Sequence, residues 1–339
     1  MSHWNFKNLI LEEIKKNGGW VNTHAHIDRS NTINQSNFHL YLDGEKILSQ
    51  KGNGSPEVEK YLAYKWKIND NLKVQSSQQE YYDRMALTVE QMIDQGVSTL
   101  CTNIDVDYLT EDKVIQAAIE VREHYKDKIT ILYANQMHYG VLEKKARYWF
   151  DKAAEFVDII GGLPEANKGN EAEHIEVLLK TGKKYNKMVH CHVDQFNTLK
   201  QKQTRLLAEK TIEIGMEGRV VGVHGISLAA QEKAYRLETY NIMKDANLMM
   251  IACPTAWLDS KRSEEMMPFH NACPPVDEFI EHGIITALGT DGISDLYVPI
   301  CDGDMWTELR VLTHLCRLSN FEEIVKIATT NGRKVLGLV

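Results

Sequence analysis

The sequence predicts an α/β fold of the (β/α)8 TIM-barrel type. Eight short apolar runs alternate with longer amphipathic stretches, the order of a closed ring of parallel strands covered by helices. Several of the runs are unbroken Val, Ile, Leu and Met, as strands buried on both faces should be. The length of 339 residues suits one large barrel better than two independent domains, so 1–339 is read as one barrel.

The opening residues look helical, with Leu9, Ile10, Leu11 and Ile14 spaced for one face. The first strand is expected at 20–23. Residues 31–74 carry few apolar runs and include Gly52-Asn53-Gly54-Ser55-Pro56. They are read as a lid or entrance insertion with a helix over 58–73, because long excursions from a compact barrel are commonly functional. A helix runs from Ser77 through Met85, Leu87 and Met92 to a stop at Gly96. After a second strand at 97–104, Val114, Ala117, Ala118 and Val121 mark one face of the next helix. Further strands are expected at 129–134, 157–161, 188–192, 220–224, 248–252 and 284–290. Residues 257–275 form a second excursion, and Ser319-Asn320-Phe321-Glu322 reads as a capping box opening the last helix.

Composition sets limits on partners. The chain is 43% hydrophobic and 25% charged, ordinary globular usage, and its net charge of −8 argues against a nucleic-acid surface. The start has no basic region followed by a long apolar core, and no run approaches the ~18 apolar residues of a spanning helix. The cysteines at 101, 191, 253, 273, 301 and 316 make no Cys-X-X-Cys pair. They are expected to be free thiols in a reducing cytoplasm. A homo-oligomer is left open.

The chemistry sits at the ends of the apolar runs. Thr23-His24-Ala25-His26-Ile27-Asp28 follows the first, and Gly289-Thr290-Asp291 ends the last. Residues i and i+2 of a strand share a side, so His24 and His26 leave the same face. Neutral imidazole is a good ligand for zinc and similar ions. His192 would add a third nitrogen and Asp291 an oxygen. Three or four N/O ligands with one open position make a catalytic rather than a structural site. One divalent ion is expected, zinc by default with iron as the alternative. Cys191 should point away from the site, and His190 should be a satisfied interior group.

The chain resembles the amidohydrolase superfamily, and within it the cytosine deaminase-like branch that includes N-isopropylammelide aminohydrolases. The matching pieces are His24-Ala25-His26-Ile27-Asp28-Arg29-Ser30, Ala134-Asn135-Gln136, the His192 segment, the stretch from Gly218 to His224, and Gly289 to Asp295, continuing to Met305. They span nearly the whole chain in the right order. Typical members carry an accessory β-sandwich built before the first histidine pair and after the last barrel helix. Here only about twenty residues precede His24 and the chain ends at Val339, so a bare barrel is expected, with truncation as the alternative.

The resemblance implies roles. Asp291 would take a proton from a metal-activated water and hand it to a leaving nitrogen. His224 would reach the attacking water or the oxyanion. Gln136, Gln195, Glu165 and Asp295 are expected among the substrate contacts, Gln136 through paired contacts to a ring amide edge. Where cytosine deaminases carry a proton-shuttling glutamate, this chain has Gln195, and an amide has no proton to exchange near neutral pH. A second metal held by Glu165, His192 and His224 is the minority alternative. The expected function is hydrolysis of an exocyclic C–N bond of a nitrogen heterocycle. Opening of a cyclic amide on the same site, or a non-catalytic ligand- or metal-binding barrel, are the alternatives. Substrate choice should be encoded in the two excursions.

Overall fold

The computed structural model describes residues 5–34, 37–49, 55–258 and 273–339. Its strands are β1 (Trp20–Asn22), β2 (Val97–Asp105), β3 (Thr130–Gln136), β4 (Ile160–Gly162), β5 (Val189–Val193), β6 (Val220–His224), β7 (Met249–Ala252) and β8 (Thr286–Leu288). Every neighbouring pair within β1–β3 and within β4–β8 is parallel. Two seams join these groups. At β8/β1, Thr23 donates its amide to Leu288 O at 3.0 Å, and Ala25 bridges Asp291 in parallel. At β3/β4, Ala134 bridges Ile159. There the Asn135 side chain supplies what the ladder lacks, donating to Gly161 O at 2.8 Å and accepting from Gly161 N at 2.9 Å. This is the expected TIM-barrel architecture, and among the described residues every strand belongs to it.

All eight expected strands occur; β6 keeps its expected bounds and the other seven shift at one end or both, most clearly β4 and β8. β4 starts at Ile160 because the Val157 amide still closes the preceding helix onto Ala153 O. β8 ends at Leu288 because Gly289, Thr290 and Asp291 turn to bond Ala252 O and His24 O instead of a continuing ladder. Strand interiors are buried on both faces, which explains the unbroken apolar runs.

Helices cover the ring. Gln78–Asp94 opens on a reciprocal capping box between Ser77 and Glu80, a device worth about 1 kcal/mol. It buries Met85 and Met92, whereas Leu87 faces outward because it lies two positions from Met85. The cap of Phe321–Ala328 is Asn320, not a Ser319 box: its side chain accepts from the amides of Glu322 and Glu323. Helix Phe6–Lys16 buries Ile10 and Ile14, as the spacing predicts. His190 donates from Nε2 to Val335 O at 2.8 Å, making it the satisfied interior group expected, and Cys191 packs in the core.

Within 31–74, two helices run over Phe38–Ser49 and Ser55–Gln75; residues 35–36 and 50–54 lie outside the described residues. The C-terminal half of Ser55–Gln75 lies against the strand ends. Lys65 donates to Tyr297 O at 2.5 Å, Asn69 to Asp105 at 3.2 Å, and Lys73 to Asp107 at 2.7 Å. Most of the second excursion, 259–272, also lies outside the described residues. No helix among the described residues is long and apolar enough to cross a membrane.

Candidate metal centre

The chain leaving β1 is held from both sides. Asn103 donates its amide to Ala25 O at 2.8 Å, and Thr290 and Asp291 both donate to His24 O at 2.9 Å. His26 donates its amide to Asp291 O at 3.2 Å. The first histidine pair and the last aspartate are thus fixed by backbone to one another.

Their side chains converge. Asp291 Oδ1 lies 3.1 Å from His26 Nε2 and 3.8 Å from His24 Nε2, while Asp291 Oδ2 lies 3.9 Å from His224 Nε2. The ring of His192 is 4.9 Å from that of His24 and 5.3 Å from that of His224, between centroids. Ligating atoms of His24, His26 and His192 lie within 4.8 Å of one another, and so do those of His24, His224 and Asp291. All five residues are buried. The four expected ligands therefore meet, and His224 joins them.

The donor chemistry fits a divalent cation. His192 donates from Nδ1 to Gly162 O at 3.1 Å, which leaves its Nε2 with a free lone pair. Nε2 of His24, Nε2 of His192 and Nδ1 of His26 are buried with no hydrogen-bond partner. Burial, and then the neighbouring histidines, hold His24 and His192 well below the usual imidazole range. Burial pushes His224 down to about 4. Burial alone would raise Asp291, but the hydrogen bond and charge of His26 outweigh it and hold the carboxyl well below its ordinary range. Neutral imidazoles around one carboxylate are the donor set that zinc and its neighbours take.

The backbone is strained where these groups turn inward. Asp194, His224 and Asp291 all have positive φ, at 52°, 83° and 60°, a region non-glycine residues visit rarely and mostly at functional sites. Asp194 uses its turn to hold helix Gln203–Ile214, accepting from the amides of Gln203 at 2.7 Å and Thr204 at 3.0 Å.

The remaining expected site residues divide. Gln136 ends β3 and is buried, and its Oε1 has no partner. Gln195 and Glu165 face each other, Gln195 Nε2 donating to Glu165 Oε2 at 3.2 Å, with Gln201 on the other oxygen at 3.3 Å. Among the described residues Glu165 belongs to neither ligand group. Asp295 is sealed at 1% exposure: Arg29 Nε donates to one oxygen at 2.9 Å and the amides of Tyr297 and Val298 take the other. Its carboxylate holds Arg29 rather than facing the histidines.

A second buried network was not legible in the sequence. Lys73 places its ammonium 3.0 Å from Asp105 and 2.7 Å from Asp107. His138 Nδ1 lies 3.3 Å from Asp105 and its ring stacks on Trp66 at 5.6 Å. Burial would raise Asp105, yet His138 and Lys73 together hold it well below the ordinary carboxyl range. Asp28, buried beside Asp105, is pushed up to about 7.

Comparison with known proteins settles the family. The Amidohydrolase family model matches residues 18–339. The chain belongs to the Amidohydrolase family. It is 46% identical over 278 residues to an uncharacterised protein of Haemophilus influenzae strain Rd, covering 81% of this chain and 95% of that one. It is 25% identical over 345 residues to the N-isopropylammelide isopropyl amidohydrolase of Pseudomonas sp. strain ADP, covering 97% and 78%. The 5-methylcytosine deaminase of Klebsiella pneumoniae superposes with a TM-score of 0.79 at 20% identity, over 94% of this chain and 75% of that one. That last likeness shows the shared fold. Family membership makes this chain a hydrolytic enzyme acting on C–N bonds.

Proposed function

We propose that this amidohydrolase removes an amino or alkylamino group from a nitrogen heterocycle by hydrolysis. The observation that carries the reading is the buried cluster of four neutral histidines about Asp291. His24, His26, His192 and Asp291 would hold one divalent ion, zinc by default from its three nitrogens and one oxygen. Such an ion lowers the pKa of bound water from ~15.7 toward ~7.

The chain's own groups then divide the work. Water adds to the ring carbon, the exocyclic C–N bond breaks, and the amine leaves with a proton. Asp291 takes the water's proton and returns it to the departing nitrogen. His224, within 3.9 Å of Asp291, steadies the charge that develops at the attacked carbon. The unpartnered Oε1 of Gln136 accepts from a ring N–H, and its amide donates to a ring carbonyl. Helix Ser55–Gln75, tied by Lys73 and Lys65 to the strand ends, serves as the lid and lays Trp66 beside His138. The six free cysteines suit a cytoplasmic enzyme with a small-molecule substrate.

Elemental analysis of purified protein, followed by a panel of aminopyrimidines, alkylaminotriazines and pterins, tests this. About one divalent ion per chain and release of ammonia or amine are expected. Activity without metal would overturn the reading. Ring opening without amine release would replace it with cyclic-amide hydrolysis.

A further inference from the structure

Two cysteines outside the histidine cluster form a pair. The Sγ atoms of Cys273 and Cys316 lie 3.9 Å apart although 43 positions separate them in sequence. Both are free thiols, and Pro274 O lies 3.4 and 3.6 Å from the two sulfurs. Cys316 ends helix Met305–Leu315 and is buried, and the backbone of Val276 and Asp277 favours its thiolate form. Cys273 is half-buried. The other four cysteines differ: Cys101, Cys191 and Cys253 are buried, and Cys301 faces Thr255 Oγ1 at 3.3 Å.

We propose that Cys273 and Cys316 are a redox-sensitive dithiol that a small peroxide closes to a disulfide. The hydrogen bond from Cys273 holds Cys316 below the ordinary thiol range, with the backbone of Val276 and Asp277 adding to it, while Cys273 as the donor is pushed up. The thiolate therefore forms first on Cys316, and thiolate is the reactive form. Cys316 keeps 7% exposure, so a small peroxide is the oxidant that suits it. Its thiolate attacks one oxygen of hydrogen peroxide, the O–O bond breaks, and hydroxide leaves, giving a sulfenic acid. Cys273 sulfur then attacks Cys316 sulfur, the S–O bond breaks, and water leaves with the Cys273 proton. The two sulfurs together lose two electrons and the peroxide gains them. Bonding distance is ~2.05 Å, so closing the link brings the sulfurs together by roughly 2 Å. Helix Met305–Leu315 also carries Glu308, whose carboxylate accepts from Thr255 N at 3.0 Å. The link would thus tie the chain at Cys273 to the same helix that holds Thr255.

The test uses the full-length protein and hydrogen peroxide, with no substrate needed. Titratable thiols under denaturing conditions should fall from the six in the sequence by two. Peptide mapping should join the Cys273 and Cys316 peptides, and dithiothreitol should restore the count. In Cys273→Ser the sulfenic acid should persist on Cys316 and be captured by dimedone. In Cys316→Ser neither the link nor an adduct at Cys273 should form. An unchanged thiol count in excess peroxide, a link to another cysteine, or a dimedone adduct on Cys273 in Cys316→Ser would overturn the proposal.

Discussion

Gly289 approaches His24 so closely that a Cβ on the glycine would lie 2.7 Å from the histidine's Cβ and 2.9 Å from its carbonyl oxygen. The contact is the seam at which the last strand meets the first, and it sets the distance between Asp291 and the histidine pair. Gly289→Ala should force the two segments apart. The expected cost is about 1–3 kcal/mol of stability from overpacking, and metal affinity should fall roughly 10–100-fold as the ligands lose register. Chemical unfolding and metal competition measure the two effects separately. A variant that binds metal as tightly as the parent would remove this seam from the account of the site.

Much of the barrel was legible because strands buried on both faces must be apolar throughout, and helix caps have short-range signatures such as Ser77 with Glu80. The ligand histidines were legible because strand alternation fixes which side chains share a face. What was not legible depends on side chains distant in sequence. Asn135 stitches β3 to β4 across 26 positions, and Asp295 reaches Arg29 across 266. Lys73 finds Asp105 and Asp107 only after the helix after residue 55 has packed on the strand ends. Nothing in the local pattern at Gln195 announces that Glu165 is its partner.

Asp291 and His224 can be told apart by substitution. Asp291→Asn keeps the shape but removes the proton acceptor, and turnover should fall roughly 10²–10⁴-fold. It also removes the one carboxylate that the cluster has among the described residues, so bound metal should weaken. His224→Asn should slow turnover while leaving about one ion per chain, as befits a residue acting on the reacting groups. Elemental analysis beside steady-state rates decides the matter. Loss of the ion in His224→Asn would make His224 a ligand.

Stability should peak near neutral pH in metal-free protein. Six buried histidines, His24, His26, His174, His190, His192 and His224, are held below the usual value of 6.5, burial being the largest cause for each. The unfolded chain protonates them first, so the stability they carry is present above pH 6.5 and is lost as pH falls toward their folded values. Three carboxyls oppose this. Asp194 is raised, Asp28 is pushed up to about 7 and Glu308 to about 8, again mainly by burial. Their contribution is full below the ordinary carboxyl range and is lost as pH rises through the folded values. Histidines outnumber these carboxyls below pH 6.5, and above it Asp28 and Glu308 still lose their contribution, so the maximum should lie close to 6.5, with the steeper fall on the acid side. Urea midpoints measured with chelator from pH 5 to 8 test this, and a flat profile would sink it.

Gln195 offers the sharpest test of how this site differs from the cytosine deaminases it resembles. Its Nε2 donates to Glu165 Oε2 at 3.2 Å. A glutamate at 195 would turn that hydrogen bond into a contact between two partly buried carboxylates. Gln195→Glu should cost on the order of 1–2 kcal/mol at pH 8, from the lost bond and the like charges. The penalty should shrink toward pH 5, because the raised carboxyl pKa contributes stability below its unfolded value that is lost as pH rises through the folded one. The exchanged pair, Glu165→Gln with Gln195→Glu, restores one amide facing one carboxylate and should recover most of the loss. Coupling between the two positions, read from the double-mutant cycle of unfolding free energies, measures the pairing directly. If Gln195→Glu alone is as stable as the parent and turns over cytosine, position 195 faces the substrate rather than Glu165. The glutamine would then be a choice about the reaction and not about the partner across the loop.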